Sequence, residues 1–206
     1  MDYIAAHKEI YDCLANEYKS RNDALLGVTE EAVATVSAYL NPGDSILELG
    51  SGSGLASRLL DGSGFTVTAI ELSPRMIEVS KEIAPEVSFV EGDFLKSNLN
   101  SSFKAIFALA FIHLFKKGDA VQVLRKVHGL LESSGILYIG TTKETESTEG
   151  WERKGDYENQ LQRYRKRWMQ EEFEQTLRET GFEIIELKLI SDPFGKVWMD
   201  YVARAV

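Results

Sequence analysis

The chain has 206 residues, of which 44% are hydrophobic and 27% charged, and its formal net charge is −9. This length and composition fit one globular domain with a sizeable core. The acidic balance disfavours nucleic acid as a partner, and no stretch supplies the roughly 18 apolar residues of a membrane helix. Because the single cysteine, Cys13, can form neither an internal disulfide nor a thiolate metal site, we expect a cytoplasmic location and no metal.

The N-terminal segment is predicted to be helical. Apolar residues fall near one face of a helix over residues 3–21. A second helix is expected to begin at Thr29, because threonine is a favoured residue at helix N-termini, and to end at Asn41-Pro42-Gly43.

Strands and helices alternate from residue 45 onward. The pattern predicts strands at 45–49, 65–70, 87–90, 105–110, 136–140, 182–189 and 196–203, with helices at 54–61, from 74, and at 119–131 and 170–180. This alternation predicts an α/β fold in three layers, with a parallel sheet covered by helices on both faces. Ligands of such sheets bind outside the carboxyl ends of the strands, so we expect the site just after Leu49, Ile70, Val90 and Ala110.

Three alternating glycines follow the first strand in Glu48-Leu-Gly-Ser-Gly-Ser-Gly54. Without side chains, they allow a tight turn and let a ligand lie against the backbone. Their spacing differs from the dinucleotide fingerprint G-x-G-x-x-G, and the Gly-Lys-Ser/Thr of a P-loop does not follow.

Acidic residues end the next two strands. Glu71 lies 21 positions after Gly50, where a carboxylate holds the ribose hydroxyls in dinucleotide folds. Asp93 follows the third strand and is predicted to accept a hydrogen bond from an adenine amino group, with Phe94 or Leu72 beside the ring. The alternative interpretation makes both carboxylates solvated turn residues.

These segments resemble the motifs of class I methyltransferases. ILELGSGSG (46–54) resembles their motif I, AIELSPRMI (69–77) their acidic ribose motif, EGDF (91–94) their adenine motif, and LLESSGILYIGTT (130–142) their late strand. The resemblance implies S-adenosyl-L-methionine as cofactor and a Rossmann-like methyltransferase fold. Its seven-stranded sheet would have the order 3-2-1-4-5-7-6, with the last strand antiparallel.

The residues that we expect to bind this cofactor are Tyr18, Gly50, Ser51, Gly52, Ser53, Gly54, Glu71, Leu72, Met76, Asp93, Phe94 and Ala110. The chain departs from the family pattern at Lys104, where an aspartate usually opens the fourth strand, and at Ser133-Ser134-Gly135, where Pro-Gly-Gly is usual. Residues 11–18 and 163–173 resemble segments of small methyltransferases, which include tellurite-resistance-type proteins and enzymes of phenolic or heterocyclic metabolites.

We predict one methyltransferase domain over residues 1–206. It comprises an N-terminal helical cap (1–41), a cofactor-binding core (42–142), a lid or insert (143–168), and a C-terminal helix with strands (169–206).

Methyl transfer mainly requires that the nucleophile and the methyl group be held in line in a dry pocket. His113 follows the central strand, where it would act as a general base or simply pack against the backbone. We interpret the other histidines, His7 and His128, as packed helix residues. The residues predicted to bind a planar substrate are Trp151, Tyr157, Arg163 and Trp168.

The basic run from Arg163 to Arg167 has two interpretations. It would hold an anionic substrate or RNA, or it would be a strand with a solvated face balanced by acidic neighbours.

Function follows as a hypothesis with alternatives. We expect a methyl transfer to oxygen or nitrogen of a small molecule, by a monomer or homodimer that binds neither nucleic acid nor membrane. The alternatives are an RNA or protein methyltransferase, a non-catalytic cofactor-binding protein and, disfavoured by the glycine spacing, a dehydrogenase.

Overall fold

A computed structural model describes residues 2–99, 102–153 and 162–206. The helices are α1 (Tyr3–Ser20), α2 (Asn22–Ser37), α3 (Leu55–Gly62), α4 (Pro74–Ile83), α5 (Lys117–Leu130) and α6 (Gln170–Glu179). The strands are β1 (Ser45–Leu49), β2 (Thr66–Glu71), β3 (Ser88–Glu91), β4 (Phe103–Leu109), β5 (Leu131–Thr142), β6 (Thr148–Arg153), β7 (Gln162–Arg167), β8 (Phe182–Ser191) and β9 (Val197–Ala205). A 3₁₀ turn, Ile112–Leu114, follows β4.

Seven strands form one sheet in the order β3-β2-β1-β4-β5-β9-β8. Strands β1 to β5 pair in parallel, whereas β9 is antiparallel to both of its neighbours. Because β6 and β7 pair only with each other, β8 and β9 are the sixth and seventh strands of the main sheet. The predicted order 3-2-1-4-5-7-6 and its antiparallel strand are therefore confirmed.

Both faces of the sheet are buried. Ile46 packs in a core cluster with residues of α2 and α3, and its neighbour Leu47 packs in a second cluster with residues of α5 and α6. Because successive residues of a strand point to opposite faces, the two clusters lie on opposite sides of β1. The predicted three layers are confirmed.

The predicted start of the second helix is wrong. The helix begins at Asn22, one residue after Arg21, and Thr29 is buried inside it with its hydroxyl donating to the Leu25 carbonyl. Inside a helix a threonine hydroxyl donates to the carbonyl four residues earlier, whereas at an N-terminal cap its oxygen accepts from a backbone N–H. The short link between α1 and α2 forms without a side-chain hydrogen bond at the cap.

The predicted insert contains the β6–β7 hairpin, and its basic run is a strand without a solvated face. Arg163, Arg165 and Lys166 are buried, so the predicted solvated face is wrong, whereas the predicted strand and the acidic partner Glu172 are present. For Arg165 and Lys166 the physical reason is compensation of charge, since Lys166 pairs with Glu172 at 2.8 Å and Arg165 lies within 4 Å of two glutamates. Within the described ranges, no helix is long and apolar enough to span a bilayer.

Candidate active site

The glycine loop after β1 takes left-handed backbone conformations. Gly52 has φ 53° and Gly54 has φ 83°. A Cβ on Gly54 would lie 2.8 Å from the Cα of Ser80, so this glycine permits the close approach of α4. A Cβ on Gly52 would meet no protein atom within 4 Å and would enter open space. Gly54 therefore allows α4 to pack closely, and Gly52 leaves room for a ligand.

The open space is a cavity of about 260 Å³ outside the carboxyl ends of the first four strands. This volume is near the lower end for ligand pockets, roughly 300 Å³. The predicted cofactor residues that line it are Tyr18, Gly50, Ser51, Gly52, Ser53, Glu71, Leu72, Met76, Asp93, Phe94 and Ala110. Gly54 is the one member of the predicted set that does not line the cavity.

Glu71 ties two of these loops together. Its side chain is 7% exposed, and its carboxylate accepts from the backbone N–H of Gly52 at 3.1 Å and of Ser73 at 2.9 Å. Burial raises the pKa of Glu71, and the backbone N–H donors oppose that rise. The carboxylate is thus held in one orientation at the cavity wall.

Asp93 lies at the end of β3. One of its oxygens accepts from the Leu95 backbone N–H at 3.0 Å, and the other lies 3.3 Å from the Lys96 ammonium. The ring of Phe94 beside it is buried and meets Phe111 edge-on. A carboxylate and an apolar ring are therefore neighbours at this end of the cavity.

A second buried carboxyl group, Glu48, was missed by sequence reasoning. It lines the same cavity, is 3% exposed and accepts from the Ser57 hydroxyl. Burial, and to a lesser degree the charge of Glu71, raises the pKa of Glu48 to about 7. Its place two residues before Gly50, inside the predicted motif, was the available signal.

Helix α1 forms another wall of the cavity. Its residues His7, Tyr11 and Tyr18 all line the cavity, at intervals of four and seven that put them on one helix face. The Nε2 of His7 lies 3.0 Å from the Tyr164 carbonyl oxygen, and a carbonyl only accepts, so Nε2 carries the proton. Burial lowers the pKa of His7 to about 4, which keeps the ring neutral near pH 7.

His113 also lines the cavity, in the turn after β4. Its side chain is buried, with Nδ1 at 3.4 Å from the Thr141 hydroxyl and its ring beside Trp198. His128 lies away from this cavity and contacts the Val206 carbonyl oxygen.

Of the three predicted substrate residues that the structure describes, only Arg163 lines the cavity. Trp168 is fully buried against Phe173 in the core, and Trp151 is 39% exposed beside Tyr164, so neither is retained as a substrate residue. Tyr157 lies outside the described residues. Aromatic character did not distinguish a core position from a cavity position.

Comparison with known proteins gives the class. Residues 46–135 match a family model described as a methyltransferase domain. The match covers somewhat less than half of the chain, and the sheet has the strand order of the Rossmann-like methyltransferase fold.

Individual relatives match about half of the chain at low sequence identity. The chain is 29% identical over 103 residues to an uncharacterized methyltransferase of Oceanobacillus iheyensis, covering 50% of this chain and 48% of the relative. It is also 29% identical over 111 residues to a ubiquinone biosynthesis O-methyltransferase of Xanthomonas campestris, covering 50% and 45%. The chain thus spans about half the length of these curated relatives.

A solved structure matches the whole chain. The 1,6-didemethyltoxoflavin-N1-methyltransferase of Burkholderia thailandensis, crystallised with 1,6-didemethyltoxoflavin and S-adenosylhomocysteine, superposes with a TM-score of 0.82 at 19% identity. The match covers 100% of this chain and 89% of that one. At this identity the likeness establishes the fold.

Proposed function

We propose that this protein binds S-adenosyl-L-methionine in the cavity and transfers its methyl group to oxygen or nitrogen of a small molecule. The observation that carries the proposal is that the ends of four parallel strands meet at one cavity. The carboxyl ends of β1, β2, β3 and β4 bring Gly52, Glu71, Asp93 and Ala110 to one cavity.

The chemistry of these residues fits that cofactor. Glu71, with its orientation fixed by two backbone donors, would accept from the ribose hydroxyls. Asp93 and Phe94 would bind the adenine amino group and ring. The Gly50–Ser53 backbone would approach the methionine part, and the Tyr18 ring would gain a cation–π interaction with the sulfonium.

The cofactor, when bound, supplies a methyl group on a positively charged sulfur. The acceptor atom would bond to the methyl carbon, and the sulfur would leave with the pair of electrons from the broken bond. His113 would take the proton of a hydroxyl or an amine that must lose one. The lining by His7, Tyr11, Phe111 and Trp198 suits a planar acceptor. The names of the O- and N-methyltransferases compared above support a small acceptor as well.

Two finer interpretations stay predictions. We propose that residues 1–206 form one domain in which α1 and the β6–β7 hairpin cover the core, and that the protein resembles the tellurite-resistance-type subgroup. The RNA alternative loses its main support, because three residues of its basic run are buried.

Calorimetric titration tests the proposal. Wild-type protein should bind S-adenosylmethionine and S-adenosylhomocysteine and should not bind NADH. Glu71→Gln should weaken both interactions by about 1.5–3 kcal/mol, because a hydrogen bond from ligand to carboxylate is lost. Glu91→Gln is the matched control, because this exposed carboxylate ends the adjacent strand and does not line the cavity.

If the wild-type protein bound neither S-adenosylmethionine nor S-adenosylhomocysteine, the proposal would be refuted. Binding without methyl transfer to any of a panel of phenols, quinolinols and amines would favour the non-catalytic alternative.

A further inference from the structure

Arg163 is a buried cation at the cavity wall, as is Arg165 two positions further along β7. The side chain of Arg163 is 4% exposed and lines the cavity. Its Nη1 donates to the Tyr11 hydroxyl at 3.1 Å, and its Nε has no hydrogen-bond partner in the described part of the chain.

The other two arginines of the strand are neutralised by the same pair of carboxylates. Arg165 lies 3.6 Å from Glu144 and 3.5 Å from Glu152, and Arg167 lies 3.1 and 2.7 Å from them. Residues 2–99, 102–153 and 162–206 provide no carboxylate within 4.0 Å of the Arg163 guanidinium. Arg163 thus forms no ion pair among the described residues, and the charge of Glu152, which lies opposite it on β6, acts on it from beyond 4.0 Å.

An uncompensated buried charge is costly unless a partner of opposite sign arrives. The surroundings of Arg163 already respond to its charge. His7, which lines the same cavity, has its pKa lowered to about 4 by burial and, in smaller part, by the charge of Arg163. The wall of Arg163, His7 and Tyr11 thus holds a single positive charge beside aromatic and imidazole rings.

We propose that the methyl acceptor is an organic acid whose carboxylate is bound by Arg163. The inference rests on the proposed function and adds the class of substrate. A guanidinium offers a planar pair of donors that matches a carboxylate, and the adjacent rings suit an aromatic or other planar acid. The methionine part of the cofactor also carries a carboxylate, so the test separates these two sources.

The test uses matched acids and amides on protein saturated with S-adenosylhomocysteine. Benzoate and benzamide, 3-hydroxybenzoate and 3-hydroxybenzamide, and nicotinate and nicotinamide are titrated by calorimetry. We expect the acid of at least one pair to bind about tenfold or more tightly than its amide, the scale of one charge-assisted hydrogen bond. Arg163→Gln should abolish this preference.

Arg167→Gln is the matched control, because this arginine is on the same strand as Arg163, pairs with Glu144 and Glu152, and lies outside the cavity lining. It should keep the preference for acids. Equal binding of acids and amides by the wild type, including no binding of either, would overturn the inference.

The affinity for S-adenosylhomocysteine identifies the source of the carboxylate. Unchanged affinity in Arg163→Gln supports the acceptor, whereas a marked loss assigns Arg163 to the cofactor and overturns the inference. Failure of the proposed function is seen separately, because the wild type would then bind no S-adenosylhomocysteine at all.

Thermal unfolding of the free protein provides a second measurement. Arg163→Met removes the charge and keeps most of the volume, so the midpoint temperature should stay equal or rise. A marked fall would show that the guanidinium stabilises the fold rather than awaits a ligand, and would overturn the inference.

Discussion

Glu48 and Glu71 are two buried carboxyl groups that line one cavity, and the charge of Glu71 contributes to the raised pKa of Glu48. Their surroundings differ. Glu71 accepts from two backbone N–H groups, whereas Glu48 accepts from one hydroxyl. Near neutral pH, Glu48 is therefore the carboxyl group more easily protonated.

Glu48→Gln should change how stability depends on pH. The pKa of Glu48 rises from 4.5 to about 7 on folding, so the folded state binds more protons between these values. The stability from this group is complete below pH 4.5 and is lost as pH rises to 7, by on the order of 3 kcal/mol. Because glutamine mimics the protonated acid, the variant should exceed the wild type at pH 8 and approach it at pH 5. Urea unfolding at both values measures this, and identical pH dependence would contradict it.

Alanine at two glycines of the same loop should have different effects. Gly54→Ala brings a Cβ against the backbone of α4 and should cost more than about 2 kcal/mol of stability. Gly52→Ala should cost only about 1 kcal/mol, for its left-handed conformation, but its methyl group enters the cavity and should weaken S-adenosylhomocysteine binding. Urea unfolding and calorimetry on both variants measure the contrast. Equal stability losses, or unchanged affinity in Gly52→Ala, would count against it.

Tyr138→Phe should destabilise the sheet. The Tyr138 hydroxyl donates to buried Asp200 at 2.6 Å, and the other oxygen of Asp200 has no partner among the described residues. Removing this donor should cost about 1–3 kcal/mol. Burial raises the pKa of Asp200 to about 6 despite the Tyr138 bond, so the loss should be larger at pH 8 than at pH 5. Adding Asp200→Asn should recover part of the loss, and no recovery in the double variant would argue for another cause.

His113→Asn should separate binding from chemistry. If His113 accepts a proton, affinity for S-adenosylhomocysteine should be unchanged, while turnover of an acceptor that must lose a proton should fall about 10²–10⁴-fold. An acceptor that needs no deprotonation should be methylated at the wild-type rate. Equal turnover of both kinds of acceptor by variant and wild type would leave His113 a packing role.

The sequence predicts the cofactor end of the cavity well for a topological reason. Glu71 ends its strand, Gly52 and Asp93 closely follow theirs, and a parallel sheet brings such positions to one edge. The opposite wall depends on tertiary contacts that local patterns do not encode. His7 contacts Tyr164 across 157 positions, and Arg163 contacts Tyr11 across 152.

Two further misinterpretations have the same origin. Thr29 has the residue type of a helix cap, but the tight link between α1 and α2 extends the helix through it. Lys166 has the charge of a surface residue, but Glu172, on a neighbouring helix, permits its burial. Residue type indicates a preferred position, at a helix end or at the surface. The contacts that change this preference become visible only in the folded structure.

The place of β9 has a consequence for synthesis. Residues 197–205 leave the ribosome after every other described strand, yet they fill the interior position between β5 and β8. Until they arrive, β5 has an open edge and β8 has no neighbour in the sheet, and such edges recruit other chains. Completion of the sheet must therefore wait until residues 197–205 have left the ribosome, and a nascent chain that stops before residue 197 would be prone to aggregation.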